Sequence, residues 1–104
     1  MIRHVAFFNL RPEVQTSEQT WLLGRIEKFK TLGSVKSLFL GKRLEPREEW
    51  YRPRMATDFE WMILIDFNDE KDLYAFQTDD YHLTVAREIR ERSTLVKVMD
   101  FVVS

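Results

Sequence analysis

A chain of 104 residues has room for one domain and not for two. Its 16 Lys and Arg against 17 Asp and Glu leave a net charge of −1. That balance lacks the basic excess that nucleic-acid phosphates or an anionic membrane would reward, so neither partner is expected.

The absence of Cys excludes disulfides and thiolate metal sites. No stretch approaches the ~20 apolar residues of a transmembrane helix. The opening MIRHVAFFNL has too short an apolar run for a secretory signal, and a cytoplasmic address is the expectation. Hydrophobic residues make up 44% of the chain, with eight Phe and three Trp. Part of that apolar supply is expected to be buried against a second copy of the chain.

Ile2 to Leu10 reads as a strand, rich in β-favouring bulk and ended by Pro12. Ile2, His4, Ala6 and Phe8 alternate with Val5 and Phe7, so both faces are mostly apolar and both should be covered. Thr16 and Gln19 fit a capping box that starts a helix near Ser17. Leu22, Ile26 and Phe29 follow at helical spacing, and Gly33 is a natural stop. Val35 to Leu44 reads as a second strand, with Leu38, Leu40 and Leu44 on one face.

Glu45 to Asp58 is the longest stretch without periodicity and holds Pro46, Pro53, Trp50, Tyr51 and three Arg. A loop this long is often functional, and a lid, a dimer arm and a plain solvated loop all fit it. Phe59 to Phe67 is a clear strand. Asn68 or Asp69 can cap a short helix to about Gln77, and Asp79 or Asp80 another to about Ser93. Leu95 to Val103 is the last strand.

That order predicts an α+β fold over residues 1–104. It is a ferredoxin-like split βαβ arrangement, with a four-stranded antiparallel sheet and helices on one face. The other face would carry Val5, Phe7 and Met62 or Leu64, too apolar for water, and should meet another subunit.

His82 precedes Val85, Ala86 and Ile89 by three, four and seven residues, which puts it on the inward stripe of the last helix. His4 lies between Ile2 and Ala6 on strand 1, on a face that can look at the helices. The two imidazoles are expected to share one pocket, within reach of a direct or single-water hydrogen bond. With unperturbed pKa values near 6.5, they can take and give a proton near neutral pH. The competing reading is a pair of hydrogen-bonded core or cap residues.

Tyr74 and Tyr81 flank this region, as rim packing or as hydroxyls that hold a ligand. Trp61, Phe76 and Phe8 are most simply core, and can also wall a flat ligand. The run Arg87 to Arg92 alternates in sign and reads as a solvated helix face. No Gly-rich phosphate loop and no GxSxG elbow is present, and two His without a paired acidic motif make a weak metal site. No cofactor and no metal are expected.

The opening IRHVAFFNL, the segment Phe76 to His82 and the closing VKVMDFVV resemble the stress-responsive dimeric α/β-barrel family, often called Dabb. The element order matches over essentially the whole chain. The resemblance implies a homodimer whose two sheets close into a barrel, with the helices outside. A plant polyketide cyclase of that family has histidines that match His4 and His82. Two further catalytic positions of that enzyme, a His and a Tyr, fall on Trp61 and Phe76, which handle no protons.

Three roles fit these observations: a dimeric module that binds a small apolar or aromatic ligand, a cofactor-independent cyclase- or lyase-like enzyme using His82 and His4, and an antibiotic-biosynthesis-type monooxygenase of related architecture.

Overall fold

A computed structural model describes residues 1–104. Four strands, β1 (Ile2–Leu10), β2 (Ser37–Lys42), β3 (Trp61–Phe67) and β4 (Ser93–Val102), form one antiparallel sheet in the order β2-β3-β1-β4. Three helices, α1 (Thr16–Glu27), α2 (Glu70–Gln77) and α3 (Asp80–Arg92), connect them. This is the ferredoxin-like arrangement expected from the element order. The molecule is a slab, 43 × 36 × 18 Å, as one sheet under one layer of helices must be.

Local chemistry explains most boundaries. The Asp69 carboxylate accepts from the Asp72 N–H, and that of Asp79 accepts from the Tyr81 and His82 N–H groups. Each thereby satisfies donors that the first turn of a helix leaves free. The capping box expected at α1 does not form: the helix starts at Thr16, and no side chain caps it. It ends at Glu27 and tightens into a 3₁₀ turn over Lys28–Thr31, so Gly33 is not its stop.

The strand ends differ from expectation where ladder partners run out. β2 is shorter than Val35–Leu44, because its last bond to the neighbouring strand is from the Arg43 N–H to the Glu60 carbonyl. Beyond it Leu44 is exposed. β3 begins at Trp61, since Phe59 turns away to pack on Phe7 at 5.3 Å. β4 begins at Ser93, directly after α3, with a bulge where its register on β1 shifts at Asn9/Leu10.

The core lies between the sheet and the helices. Phe8, Ile63, Ile65 and Phe67 from the sheet meet Leu22, Ile26, Phe29, Phe76 and Val85 from the helical layer, all nearly inaccessible. The run from Arg87 to Arg92 is not simply solvated. Glu88 accepts from Arg25 at 2.6 Å and Arg92 donates to Glu18 at 2.8 Å, so two of its charges dock α3 on α1. Only Arg87 and Glu91, spaced i and i+4, form the exposed pair expected there.

The opposite sheet face has no helix. Its side chains come from Arg3, Val5 and Phe7 of β1, Met62, Leu64 and Asp66 of β3, Ser37 and Phe39 of β2, and Leu95, Lys97, Met99 and Phe101 of β4. Val5, between Leu64 and Met99, is already buried, but Phe39 is 58% exposed and Met99 and Phe101 about half so. Besides Lys97, one polar cluster interrupts the face. Arg3 donates twice to Asp66, and Ser37 donates to the same carboxylate. The Arg3 hydrogen bonds hold the buried Asp66 carboxyl below the usual carboxylate range.

Candidate functional site

Strand alternation sends His4 and Ala6 of β1, Ile63 and Ile65 of β3, and Val96 and Val98 of β4 to the helical side of the sheet. Helical spacing sends Phe76 of α2, and His82, Ala86 and Ile89 of α3, back toward them. Between the two layers lies a cavity of about 370 Å³, lined by all of these together with Phe8 and Phe29. Its only other lining residues are Gln77 and Arg90. The polar groups are therefore His4, Gln77, His82 and Arg90, and none is acidic.

Each imidazole is held through its Nδ1, His4 by the Asp100 carboxylate and His82 by the Gln77 main chain. The His4 ring approaches the Asp100 carboxylate, with Nδ1 and Oδ1 2.5 Å apart. An ionised carboxylate only accepts, so Nδ1 carries a proton and donates it to Asp100, which leaves Nε2 as the ring nitrogen outside that bond. His82 Nδ1 donates to the Gln77 carbonyl at 3.3 Å, and the same logic leaves its Nε2 as an acceptor. Burial pushes the pKa of His82 down from 6.5, so the ring is neutral at neutral pH. Phe76 stands between the two rings, its centroid 4.1 Å from His82 and 6.3 Å from His4. The two histidines thus line one cavity, but they make no hydrogen bond to each other. Phe29, 5.7 Å from the His82 ring, closes the aromatic wall.

The other residues singled out in the sequence separate into two groups. Phe8 and Phe76 line the cavity. Trp61, Tyr74 and Tyr81 do not. Trp61 is buried and stacks on Phe8 at 6.2 Å, behind the cavity wall. Tyr81 donates to the Arg25 carbonyl at 2.8 Å and joins α3 to α1, and burial raises its pKa. Tyr74 is exposed, with its hydroxyl on Glu70 of its own helix. No group of three or more His, Cys, Asp or Glu side chains is assembled to hold a metal ion.

Asp100 was not singled out in the sequence. Its signal is the one acid of the last strand, with the same parity as Val96 and Val98, but only the β1–β4 register sets it opposite His4. Arg90 gives no signal of its own in the sequence, because the alternating charges of Arg87–Arg92 have the pattern of a solvated face.

A second, shallower cavity of about 460 Å³ lies at the far end of the sheet, between Phe7 and Met62 and the base of the 45–58 loop at Ala56, Asp58 and Phe59. That loop carries one 3₁₀ turn, Arg52–Arg54, and leaves Trp50 and Tyr51 exposed. It does not reach the cavity between sheet and helices.

Comparison with known proteins agrees on the architecture. The model of the stress responsive A/B barrel domain matches residues 2–103. No curated protein matches the sequence. Among solved structures, a hydroxynitrile lyase from Passiflora edulis is similar with a TM-score of 0.85 and 15% identity, over 99% of this chain and 93% of that one. The protein At3g17210 from Arabidopsis thaliana gives 0.83 and 12%, over 100% and 96%. A dimeric ferredoxin-like protein from Thermobifida fusca gives 0.79 and 17%, over 98% and 90%. No helix of this chain is long and apolar enough to cross a membrane.

Proposed function

We propose a function from one premise: this chain belongs to the stress responsive A/B barrel domain family. The protein is a homodimer that binds a small apolar or aromatic molecule in the cavity between the sheet and the last two helices. The observation that carries this reading is the cavity itself. It is about 370 Å³, with ten of its fourteen lining residues hydrophobic and two of the others imidazoles. Small-molecule sites are generally built this way, with apolar walls for affinity and a few polar groups for orientation. Phe76 and Phe29 offer faces to a flat ligand, and the Nε2 atoms of His4 and His82 accept from its hydroxyl or enol.

The dimer is supported by the uncovered apolar face around Phe39, Met99 and Phe101, and by the dimeric state of the similar Thermobifida protein. The same face must serve both copies, so the pairing is two-fold.

The test pairs binding with stability. The parent and His82→Ala are melted, then titrated with flat phenolic and polyketide-like compounds. Binding by the parent that is lost in a variant of nearly unchanged melting supports the reading. A steep fall in melting temperature, with no ligand found for the parent, assigns His82 to packing alone.

A second reading, a cofactor-independent acid–base enzyme, is favoured by one specific observation. The His4–Asp100 bond orients one imidazole, while His82 stays neutral and able to accept a proton. Such a pair could supply roughly 10²–10⁴-fold by proton transfer. The similar hydroxynitrile lyase makes lyase chemistry the first to assay. With Trp61 and Phe76 unable to move protons, binding is expected to be easier to detect than turnover.

A further inference from the structure

Every arginine except Arg47 and Arg90 pairs with a carboxylate or donates to a main-chain carbonyl. Arg47 sits in the exposed 45–58 loop. Arg90 lines the cavity between sheet and helices. It follows His82 and Ala86 at steps of four along α3, so all three lie on one face of the helix. Eight residues of helix separate His82 from Arg90 by roughly 12 Å along the axis. The cavity therefore has imidazoles inside and an exposed guanidinium at its rim, with apolar walls around them, and the Arg90 charge is felt at His82, where it helps to lower the pKa after burial.

No Asp or Glu lines this space. Asp100 stands behind His4 and is engaged by it. A carboxylate entering an apolar cavity loses hydration and needs a partner in place. The planar guanidinium supplies one, with two parallel donors matched to a carboxylate. A neutral ligand would leave the same guanidinium with nothing but solvent.

We propose that the cavity's ligand is a flat or linear monocarboxylate with a hydroxyl, enol or carbonyl at its far end, and that Arg90 is the residue that selects the acid. The carboxylate sits on Arg90 at the rim. The body runs over Ala86 and under Ile63 and Ile65. The distal oxygen meets His4 and His82. This rests on the cavity-binding reading above and adds the charge and length of the ligand.

The probe is 6-hydroxy-2-naphthoate, compared with its neutral primary amide, which has the same rings and the same distal hydroxyl. Affinities are measured by calorimetry near pH 7.5 for the parent, Arg90→Gln and Arg87→Gln. Arg87 is exposed on the same helix and does not line the cavity, so its variant controls for net charge. The parent should bind the acid about tenfold or more tighter than the amide. Arg90→Gln should lose most of that preference, and Arg87→Gln should keep it. Equal affinity of the parent for acid and amide would overturn the carboxylate proposal and leave the cavity reading standing. A preference that survives Arg90→Gln would remove Arg90 from the recognition. Binding of neither compound would count against both.

Discussion

Both faces of the sheet carry apolar side chains, but they are covered differently. On one face Phe8, Ile63, Ile65 and Phe67 are sealed by helices of the same chain, and the seal is incomplete only where a cavity is left around His4 and His82. On the other face Phe39, Leu64, Met99 and Phe101 have only their sheet neighbours and no helix of the chain above them. The polar groups differ in the same sense. Arg3, Asp66 and Ser37 on the open face satisfy one another. The imidazoles on the covered face are each tied by one nitrogen and free at the other. A group left with an unused acceptor in an apolar cavity suits ligand chemistry, whereas a fully paired cluster on a flat face suits an interface that must specify one register.

Damage to the covered face should have the largest effect. Phe76 is fully buried and packs against Phe29, Phe67 and both imidazoles. Phe76→Ala should cost about 3–5 kcal/mol in denaturant unfolding, since little around it can collapse into the space. A loss below about 1 kcal/mol would mean that the helical layer is far looser than described.

On the open face a charge should act on association rather than on folding. Phe39→Asp is expected to weaken the dimer by at least about a hundredfold in sedimentation equilibrium, which is about 2.7 kcal/mol. The monomer should keep its circular dichroism, because Phe39 is exposed within one chain. An unchanged dimer would show that a different surface pairs.

The smallest effect sharpens the contrast between the two polar clusters. His82 has its pKa lowered by burial, so the unfolded chain binds its proton more readily than the folded one. The stability that comes from keeping it neutral is fully present above about pH 6.5 and is lost as pH falls toward its lowered folded value. Asp66 works lower on the scale: its folded pKa lies beneath 3.8, and its contribution is lost only as pH falls through that depressed value. Melting between pH 7.5 and 5 should therefore decline in the parent, and decline less in His82→Phe. Parallel curves would mean that His82 is not desolvated.

Much of this was legible in the sequence, for identifiable reasons. Alternation in Ile2–Leu10 and the run Trp61–Phe67 mark strands. Asp69 and Asp79 mark helix starts. The inward stripe of Val85 and Ile89 carries His82 with it. The convergence of His4 and His82 on one cavity follows from those periodicities plus the fold. What was not legible depends on register or phase. Asp100 meets His4 only through the β1–β4 pairing. Tyr74 lies one residue past the buried Leu73 and two before the buried Phe76, about 100° and 200° around the helix, so its outward position could have been read from helical phase alone. Arg90 shares the stripe of His82 and Ala86, but the alternating charges around it disguised that.

One face of this sheet is proposed to receive a ligand and the other a second copy of the chain. Methyl NMR on the dimer tests both halves at once. On titration with 6-hydroxy-2-naphthoate, the methyl signals of Ile63, Ile65, Ala86, Val96 and Val98 should shift, while those of Met62, Leu64 and Met99 stay in place. Shifts centred on Met62, Leu64 and Met99, with the first set silent, would contradict the assignment of the two faces.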